Sequence, residues 1–386
     1  MQAVKIREGI YWVGAIDWNM RSFHGYATGR GSTYNAYLIL DDKITLIDTV
    51  KEPFKEELLA RISSVIDPSS IDYIVSSHVE PDHSGALPFM AEHCPKATIF
   101  TSMPQGLKGL MNRYGVLKYQ GVKAGEILRL GKRTLQFLPV PMLHWPDSMV
   151  TYCPEEKILF SNDAFGEHYA TSRRFDDEND LPTILFEAQK YYANILMLYG
   201  MQAQKALKAL APFDIEMIAT GHGIIWRKYI KEILGCYQKW STHTVEERAV
   251  VVYDSMWGST EKMARCIAEA FQQKGIPAEF YDIKKNELSD IMTDVLTAKY
   301  LAVGSPTINN QMMPTIAAFL CYLQGLAPKN HQAFAFGSFG WGGQSIQQVE
   351  TALKQAGCTI CHDKVRLQNK PSDEDLQEIT QSILNM

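Results

Sequence analysis

Two histidines and two carboxylates fall within one short stretch, His78-Val79-Glu80-Pro81-Asp82-His83. The stretch follows an apolar, β-branched run over residues 71–75, which predicts a buried strand. Because Pro81 cannot continue a central strand, we expect the four side chains to lie on a turn at the strand's end, where they can converge. Imidazoles and carboxylates bind metals once they are deprotonated. The stretch therefore predicts a metal site, and a polar loop that happens to contain histidines is the alternative.

The same arrangement recurs at three later points, where an apolar extended run ends and a potential ligand follows. These ligands are His144 after residues 135–143, Asp163 after residues 157–162, and His222 after residues 215–220. Seven ligands are too many for one tetrahedral zinc ion, so we expect two metal ions with Asp163 between them. Imidazole and carboxylate ligands without thiolate allow iron, manganese or zinc.

The length of 386 residues predicts two domains. A polar and charged segment over residues 242–248 gives way to an apolar run at Ala249, so we place one domain at residues 1–248 and the other at 249–386. In the second domain, strand-like and helical runs alternate, with a last strand expected over residues 359–367. This alternation predicts a doubly wound parallel sheet with ligands at the carboxyl ends of its strands.

The composition excludes several classes of function. No apolar run is long enough to span a bilayer, and the first residues lack the features of a signal peptide, so we expect a cytoplasmic protein that does not bind membranes. A net charge of −5 argues against general nucleic-acid binding. The seven cysteines are odd in number and scattered, which indicates reduced thiols. The one CxxC pair, Cys358 and Cys361, lacks a second pair and is expected to serve packing.

Three loops at predicted strand ends of the second domain are rich in hydrogen-bond donors. The first loop carries hydroxyls and opens a helix, so it predicts a cradle for a single phosphate. It has no lysine for a triphosphate and is not a Gly-x-Gly-x-x-Gly motif. The predicted binding residues are Ser255, Met256, Trp257, Gly258, Ser259, Thr260, Ser305, Pro306, Thr307, Ile308, Asn309, Asn310, Ser338, Phe339, Gly340, Trp341, Gly342 and Gly343. Together the loops resemble those of a flavodoxin that binds FMN.

The ligand series of the first domain resembles that of the metallo-β-lactamase fold. Zinc hydrolases of that fold usually have histidine where this chain has Glu80, and in this respect the chain is similar to the flavodiiron proteins. The resemblance implies an α/β protein with an N-terminal metallo-β-lactamase-like αββα sandwich and a C-terminal flavodoxin-like doubly wound parallel sheet. It implies one iron bound by His78, Glu80 and His144, a second bound by Asp82, His83 and His222, and Asp163 as the bridge.

The resemblance also implies an oxidoreductase that reduces O2 to water, NO to N2O, or both, through FMN and two irons. The chain ends soon after its last predicted helix, so we expect a separate electron donor such as rubredoxin. His24 and Tyr192 resemble family positions near the open face of the diiron site. A head-to-tail homodimer, or a dimer of such dimers, is expected. The alternative function is a dinuclear zinc hydrolase with a regulatory flavodoxin-like domain.

Overall fold

The structure, a computed structural model, describes residues 1–386, and the chain folds into two compact units. The first unit comprises Met1–His24, Thr28–Tyr191 and Met201–Gln238. The second unit comprises Gly25–Ala27, Tyr192–Gly200 and Lys239–Met386. A single boundary between residues 248 and 249 stays a prediction, because two short segments from earlier in the chain belong to the second unit.

The part of the chain before residue 242 contains sixteen strands and seven α-helices. The strands are β1 (Val4–Arg7), β2 (Ile10–Trp12), β3 (Ala15–Asp17), β4 (Ser22–Phe23), β5 (Tyr26–Ala27), β6 (Ser32–Tyr34), β7 (Tyr37–Ile39), β8 (Thr45–Ile47), β9 (Tyr73–Ser76), β10 (Thr98–Ser102), β11 (Tyr119–Val122), β12 (Ile127–Arg129), β13 (Thr134–Pro139), β14 (Met149–Cys153), β15 (Ile158–Asn162) and β16 (Met217–Thr220). The helices are α1 (Lys55–Ser63), α2 (Pro81–Ser84), α3 (Leu87–His93), α4 (Gln105–Tyr114), α5 (Leu181–Tyr191), α6 (Gly200–Leu210) and α7 (Ile230–Ser241).

Two sheets form the centre of the first unit, with strand orders β1-β2-β7-β8-β9-β10-β11 and β12-β13-β14-β15-β16. Side chains alternate between the faces of a strand, so a central strand of the first sheet can serve two cores. Val75 and Phe100 pack into the core that the two sheets share. Their neighbours Ile74 and Ile99 pack into a second core, which includes residues of α1 and α3. This layering is that of the expected sandwich.

Parallel pairing brings together the strand ends that carry candidate ligands. β9 lies between the parallel neighbours β8 and β10, and β15 is parallel to β16. Asp163 and His222, which follow β15 and β16, therefore leave the same edge of their sheet. β9 ends at Ser76, and Pro81 begins the short helix α2 a few residues later. Proline is favoured at the first helical position because no hydrogen-bonded N–H is needed there.

The second unit contains a parallel sheet. Its strands are β17 (Glu246–Tyr253), β18 (Ala278–Asp282), β19 (Ala298–Gly304), β20 (Gln332–Phe339), β21 (Thr359–Ile360) and β22 (Val365–Gln368). Its main helices are α8 (Ser259–Gln273), α9 (Leu288–Val295), α10 (Pro314–Leu326), α11 (Gln344–Gln355) and α12 (Asp373–Leu384). The strand order is β18-β17-β19-β20, and both β21 and β22 pair with β20. The order reverses at β17, so ligands are expected at the carboxyl ends of β17 and β19.

The single strand expected over residues 359–367 is in fact two strands. β21 pairs with Gln332 and Ala333 of β20, and β22 resumes the pairing opposite Phe336. Between these points the outer chain has four residues where β20 has two, so the extra residues cannot stay in register and the strand is interrupted. None of the seven cysteines forms a disulfide, and Cys358 is buried.

Candidate metal centre and flavin pocket

His78, Glu80, His144 and Asp163 form the first of two ligand groups, and one ligand atom of each lies within 4.8 Å of the others. Nε2 of His78 and Nε2 of His144 each lie 3.2 Å from Oε2 of Glu80. Oδ2 of Asp163 lies 3.6 Å from Nε2 of His78 and 3.4 Å from Nε2 of His144. All four side chains are buried. Four donor atoms from three separate loops therefore converge on one small volume.

Asp82, His83 and His222 form the second group, which is also buried. Oδ2 of Asp82 lies 3.2 Å from Nε2 of His222. The remaining oxygen of Asp163, Oδ1, lies 2.8 Å from Nε2 of His83 and 3.5 Å from Nε2 of His222. Each carboxylate oxygen of Asp163 thus faces a different group, which is the arrangement that a bridging ligand requires.

The donor atoms fit metal ions because several of them are buried without a well-aligned hydrogen bond, although they lie close to one another. These atoms are both carboxylate oxygens of Asp82, both carboxylate oxygens of Asp163, and Nε2 of His83 and of His222. An unpaired buried polar group costs free energy, so a site built this way needs another partner. Mixed carboxylate and imidazole ligands suit iron among other divalent metals. Two divalent cations would also offset the three negative charges of the carboxylates.

Protons occupy the ligand histidines His78 and His83 when no metal is bound. Burial alone lowers the pKa of His78, but hydrogen bonds to Asp147 and Glu80 raise it to about 10. Burial likewise opposes protonation of His83, yet the charges of Asp82 and Asp163 raise its pKa to about 10. Burial raises the pKa of Asp163, whereas the neighbouring histidines hold it well below its usual range. A metal must displace these protons, so metal affinity is expected to fall as the pH falls.

Two residues outside the ligand set orient ligand histidines. Nδ1 of His78 donates to Oδ2 of Asp147 over 2.9 Å. Nδ1 of His222 donates to the carbonyl oxygen of Thr33 over 2.6 Å. Each contact fixes the ring and leaves Nε2 as the nitrogen that a metal can bind. No local sequence pattern indicates either role, because each partner lies far from its histidine along the chain.

Asp48 joins the two strand ends that precede His78 and Asp163. Its Oδ1 accepts a hydrogen bond from the backbone N–H of Ser77 over 2.6 Å. Its Oδ2 lies 3.4 Å from Nδ2 of Asn162. Asp48 is buried, and burial raises its pKa. Asp48 therefore links the segment before His78 to the segment before Asp163.

The two residues assigned to catalysis lie in different units. Nε2 of His24 contacts Oε1 of Glu80, and the His24 side chain is 41% exposed. The ring of His24 lies 6.1 Å from that of His144. Tyr192 belongs to the second unit, where it is buried and its ring lies 5.3 Å from that of Trp240. The structure therefore brings His24 to the ligand groups, and the role of Tyr192 stays a prediction.

A cavity of about 240 Å³ in the second unit is lined by the loops that follow β17, β19 and β20. The predicted flavin residues in its wall are Ser255, Met256, Trp257, Ser259, Pro306, Thr307, Ser338, Phe339 and Gly340. The predicted residues that lie on the same loops but outside the wall are Gly258, Thr260, Ser305, Ile308, Asn309, Asn310, Trp341, Gly342 and Gly343. Asn369 and Lys370, which follow β22, complete the wall and were not predicted.

The donors around this cavity fit a phosphate and a planar ring. Helix α8 begins at Ser259, and the free N–H groups of a helix N-terminus favour an anion. Oγ of Ser255 accepts the N–H of Gly258 over 3.0 Å. Oγ1 of Thr260 lies 2.9 Å from Oγ of Ser338, so a hydroxyl at the start of α8 meets one at the end of β20. The Trp257 side chain is 93% exposed and offers an aromatic face.

Known proteins resemble the chain over its whole length. A family model described as ODP family beta lactamase matches residues 33–223, and one described as Flavodoxin matches residues 251–382. A nitric oxide reductase of Moorella thermoacetica is 46% identical over 383 residues, 97% of this chain and 96% of that protein. The solved rubredoxin oxygen:oxidoreductase of Desulfovibrio gigas has a TM-score of 0.96 and 43% identity, and covers 100% of this chain and 98% of its own. The flavodiiron protein of Giardia intestinalis has a TM-score of 0.97 and 37% identity, with coverage of 100% and 96%.

A β-lactamase-like unit with two histidine–carboxylate groups, joined in one chain to a flavodoxin unit, defines a metalloflavoprotein with a dinuclear metal module. The chain belongs to the flavodiiron protein family. Its cofactors are FMN and two non-haem irons.

Proposed function

We propose that this chain reduces O2 to water, NO to N2O, or both, with electrons that an external carrier delivers through FMN. The observation that carries the proposal is the position of Asp163, whose two carboxylate oxygens face the two ligand groups. A carboxylate shared between two groups suits two metal ions that act together on one small molecule. The relatives named nitric oxide reductase and rubredoxin oxygen:oxidoreductase support both gases as substrates.

The seven ligand side chains divide between two irons in this proposal. One iron would be held by His78, Glu80 and His144, the other by Asp82, His83 and His222, with Asp163 shared between the two groups. When bound, the irons supply a redox-active Lewis-acid centre for the gas, and FMN relays electrons to it. The protein buries the ligands. The contacts of Asp147 and Thr33 with Nδ1 of His78 and of His222 leave Nε2 of these two rings available for a metal.

Reduction of either gas consumes protons as well as electrons, and His24 is our candidate for their delivery. The candidate ligands are buried, whereas the His24 side chain is 41% exposed. Its Nε2 contacts Glu80, so the imidazole ring of His24 touches both solvent and a residue of the first ligand group. We assign His24 to proton transfer at Nε2. The catalytic role of Tyr192 rests on the family resemblance alone.

The three loops at the cavity of the second unit are assigned to FMN, with the phosphate at residues 255–260 and the ring at residues 305–310 and 338–343. The name of the Desulfovibrio gigas relative supports a rubredoxin-type electron donor. A head-to-tail homodimer, or a dimer of such dimers, and a domain boundary between residues 248 and 249 are part of the proposal. No helix of the structure has the length and apolar character needed to cross a membrane. A cytoplasmic location stays a prediction, which cell fractionation would check.

Cofactor analysis together with gas consumption tests the proposal. We expect about two irons and about one FMN for each chain, and consumption of O2 or NO with a single chemical reductant. Zinc without flavin, or no consumption of either gas by the fully loaded chain, would contradict the proposal. The ratio of the two rates with the same reductant decides which gas the chain prefers.

A further inference from the structure

Asn35 lies between β6 and β7 and is buried. Its backbone N–H donates to the carbonyl oxygen of Gly221 over 2.9 Å. Its side-chain Nδ2 donates to the carbonyl oxygens of Thr220, over 3.0 Å, and Gly223, over 3.2 Å. One buried residue therefore holds three carbonyl groups on both sides of His222.

The orientation of the Asn35 amide is fixed from its other side. Nε1 of Trp12 donates to Oδ1 of Asn35 over 2.8 Å. Because an indole N–H can only donate, Oδ1 must face Trp12 and Nδ2 must face the two carbonyl oxygens. Trp12 is itself buried in the core that the two sheets share, so this orientation is set by the fold.

The loop that Asn35 holds has little room to shift. A Cβ atom on Gly221 would lie 2.8 Å from Cε1 of His83. Gly223 has a φ of 77°, and its N–H donates to Oγ1 of Thr33 over 2.6 Å. A displacement of this backbone would therefore move His222 relative to both His83 and the carbonyl group of Thr33 that orients its ring.

We propose that Asn35 is a positioning residue for one of the two irons. It sets the backbone of residues 220–223 so that Nε2 of His222 meets Asp82 and His83, and it does not itself bind the metal. The hydrogen bonds of Asn35 go to the His222 loop and to Trp12, and none goes to the first ligand group. The inference rests on the proposed function, because it takes His222 to be an iron ligand.

The variant Asn35→Asp isolates this role. It keeps the size of the side chain and the oxygen that faces Trp12, but it replaces the donor Nδ2 with an oxygen that faces two carbonyl oxygens. Asn179→Asp is the matched control, because Nδ2 of Asn179 also donates to two carbonyl oxygens, those of Arg173 and Phe175, in a loop without a candidate ligand. His222→Ala shows what loss of the ligand itself does. Each variant is loaded with Fe(II), and iron and FMN are counted during titration with a chelator.

We expect Asn35→Asp to weaken one iron by about 10- to 100-fold, the usual effect of removing a residue that supports a metal ligand. The other iron and the FMN should stay, and Asn179→Asp should keep both irons. Wild-type affinity in Asn35→Asp, with one iron lost in His222→Ala, overturns the inference and leaves the proposed ligands standing. Both irons retained in His222→Ala would instead overturn the ligand assignment.

Equal loss of both irons in the Asn35 and Asn179 variants would mark general destabilisation and also overturn the inference. If Asn35→Asp does not fold, Trp12→Phe replaces it, because that change removes the N–H that orients the amide. It also removes part of a buried ring, so retention of the other iron and of FMN in the same protein is its internal control. Weaker binding of one iron in Trp12→Phe supports the inference, and unchanged binding of both overturns it.

Discussion

Oδ2 of Asp147 accepts two hydrogen bonds, from Nδ1 of His78 over 2.9 Å and from the backbone N–H of Val79 over 2.7 Å. One carboxylate oxygen therefore fixes both the ring of a candidate ligand and the backbone beside it. The negative charge of Asp147 draws the proton to Nδ1 of His78 and so strengthens Nε2 as a metal ligand. Asp147→Asn removes this charge. We expect about 10-fold weaker iron binding at the first group, measured by chelator competition.

Asp176→Asn is the control for this experiment. Asp176 is also buried, and its Oδ2 accepts the backbone N–H groups of Lys228 and Tyr229. It makes no hydrogen bond to a candidate ligand, so its variant should lose stability but keep its iron affinity. Equal iron loss in both variants, or none in the Asp147 variant, would show that Asp147 does not support the ligand.

Asp163→Asn tests the bridge. The amide keeps one oxygen that can bind a metal, but its NH2 group cannot replace the second, so one of the two groups loses its shared ligand. We expect loss of at least one iron and of gas reduction, measured by metal analysis and gas consumption. The surface variant Asp214→Asn serves as control, because Asp214 pairs with Lys157 and its side chain is 72% exposed. Full iron content and full activity in Asp163→Asn would refute the bridging role.

Ser255→Ala combined with Thr260→Ala tests the phosphate cradle. The change removes the acceptor for Gly258 N–H and the hydroxyl that meets Ser338. Loss of each hydroxyl should weaken FMN binding by about 1–3 kcal/mol, and both irons should stay bound. Flavin titration measures the effect, with Ser382→Ala on α12 as control because its hydroxyl bonds only to the carbonyl of Ile379. Unchanged FMN affinity in the double variant would exclude the cradle.

The positions of two ligands at strand ends could be predicted from the sequence, because hydrophobic runs end abruptly at polar residues there. Asp163 directly follows β15, and His222 follows β16 by two residues, as the apolar runs indicated. His144 is different, since β13 ends at Pro139 and the intervening residues form turns. These turns are held by backbone hydrogen bonds such as Met142 N–H to the carbonyl oxygen of Trp145, which have no periodic signature.

The supporting residues were not predicted because their roles depend on contacts between distant parts of the chain. Asn35 and Thr220 are 185 positions apart, and His78 and Asp147 are 69 apart. An asparagine or aspartate next to a strand usually indicates a turn, and only the folded sheets show what its side chain faces. For the same reason Lys370 was missed, because the position of β22 beside β20 brings it to the flavin cavity.

His331 gives a prediction about pH and stability. The side chain is buried, Nδ1 donates to the carbonyl oxygen of Ala298, and burial lowers its pKa from 6.5 to about 4. Between these values the unfolded chain binds a proton that the folded chain does not, so the free energy of unfolding falls as the pH falls. The full effect is about 3 kcal/mol, at about 1.36 kcal/mol for each pKa unit.

His331→Asn keeps a donor for Ala298 but cannot titrate. We expect the variant to lose less stability than the wild type between pH 7 and pH 4, measured from urea unfolding of both proteins after each is loaded with its cofactors at pH 7. Metal release at low pH affects both proteins alike, so the difference between them reports His331. Identical pH dependence in the two proteins would show that His331 does not contribute.

The proposed head-to-tail dimer makes a prediction about hybrids of two inactive parents. One parent carries His83→Ala and His222→Ala and keeps FMN. The other carries Ser255→Ala and Thr260→Ala and keeps its irons, and it is used only after it is shown to be free of flavin. With two different affinity tags, mixed dimers can be isolated and assayed for gas consumption. If electrons pass between chains, the FMN of the first parent serves the irons of the second, and one of the two junctions that C2 symmetry provides becomes active. If electrons pass within a chain, no chain of the hybrid holds both cofactors, so isolated hybrids that stay inactive would count against transfer between subunits.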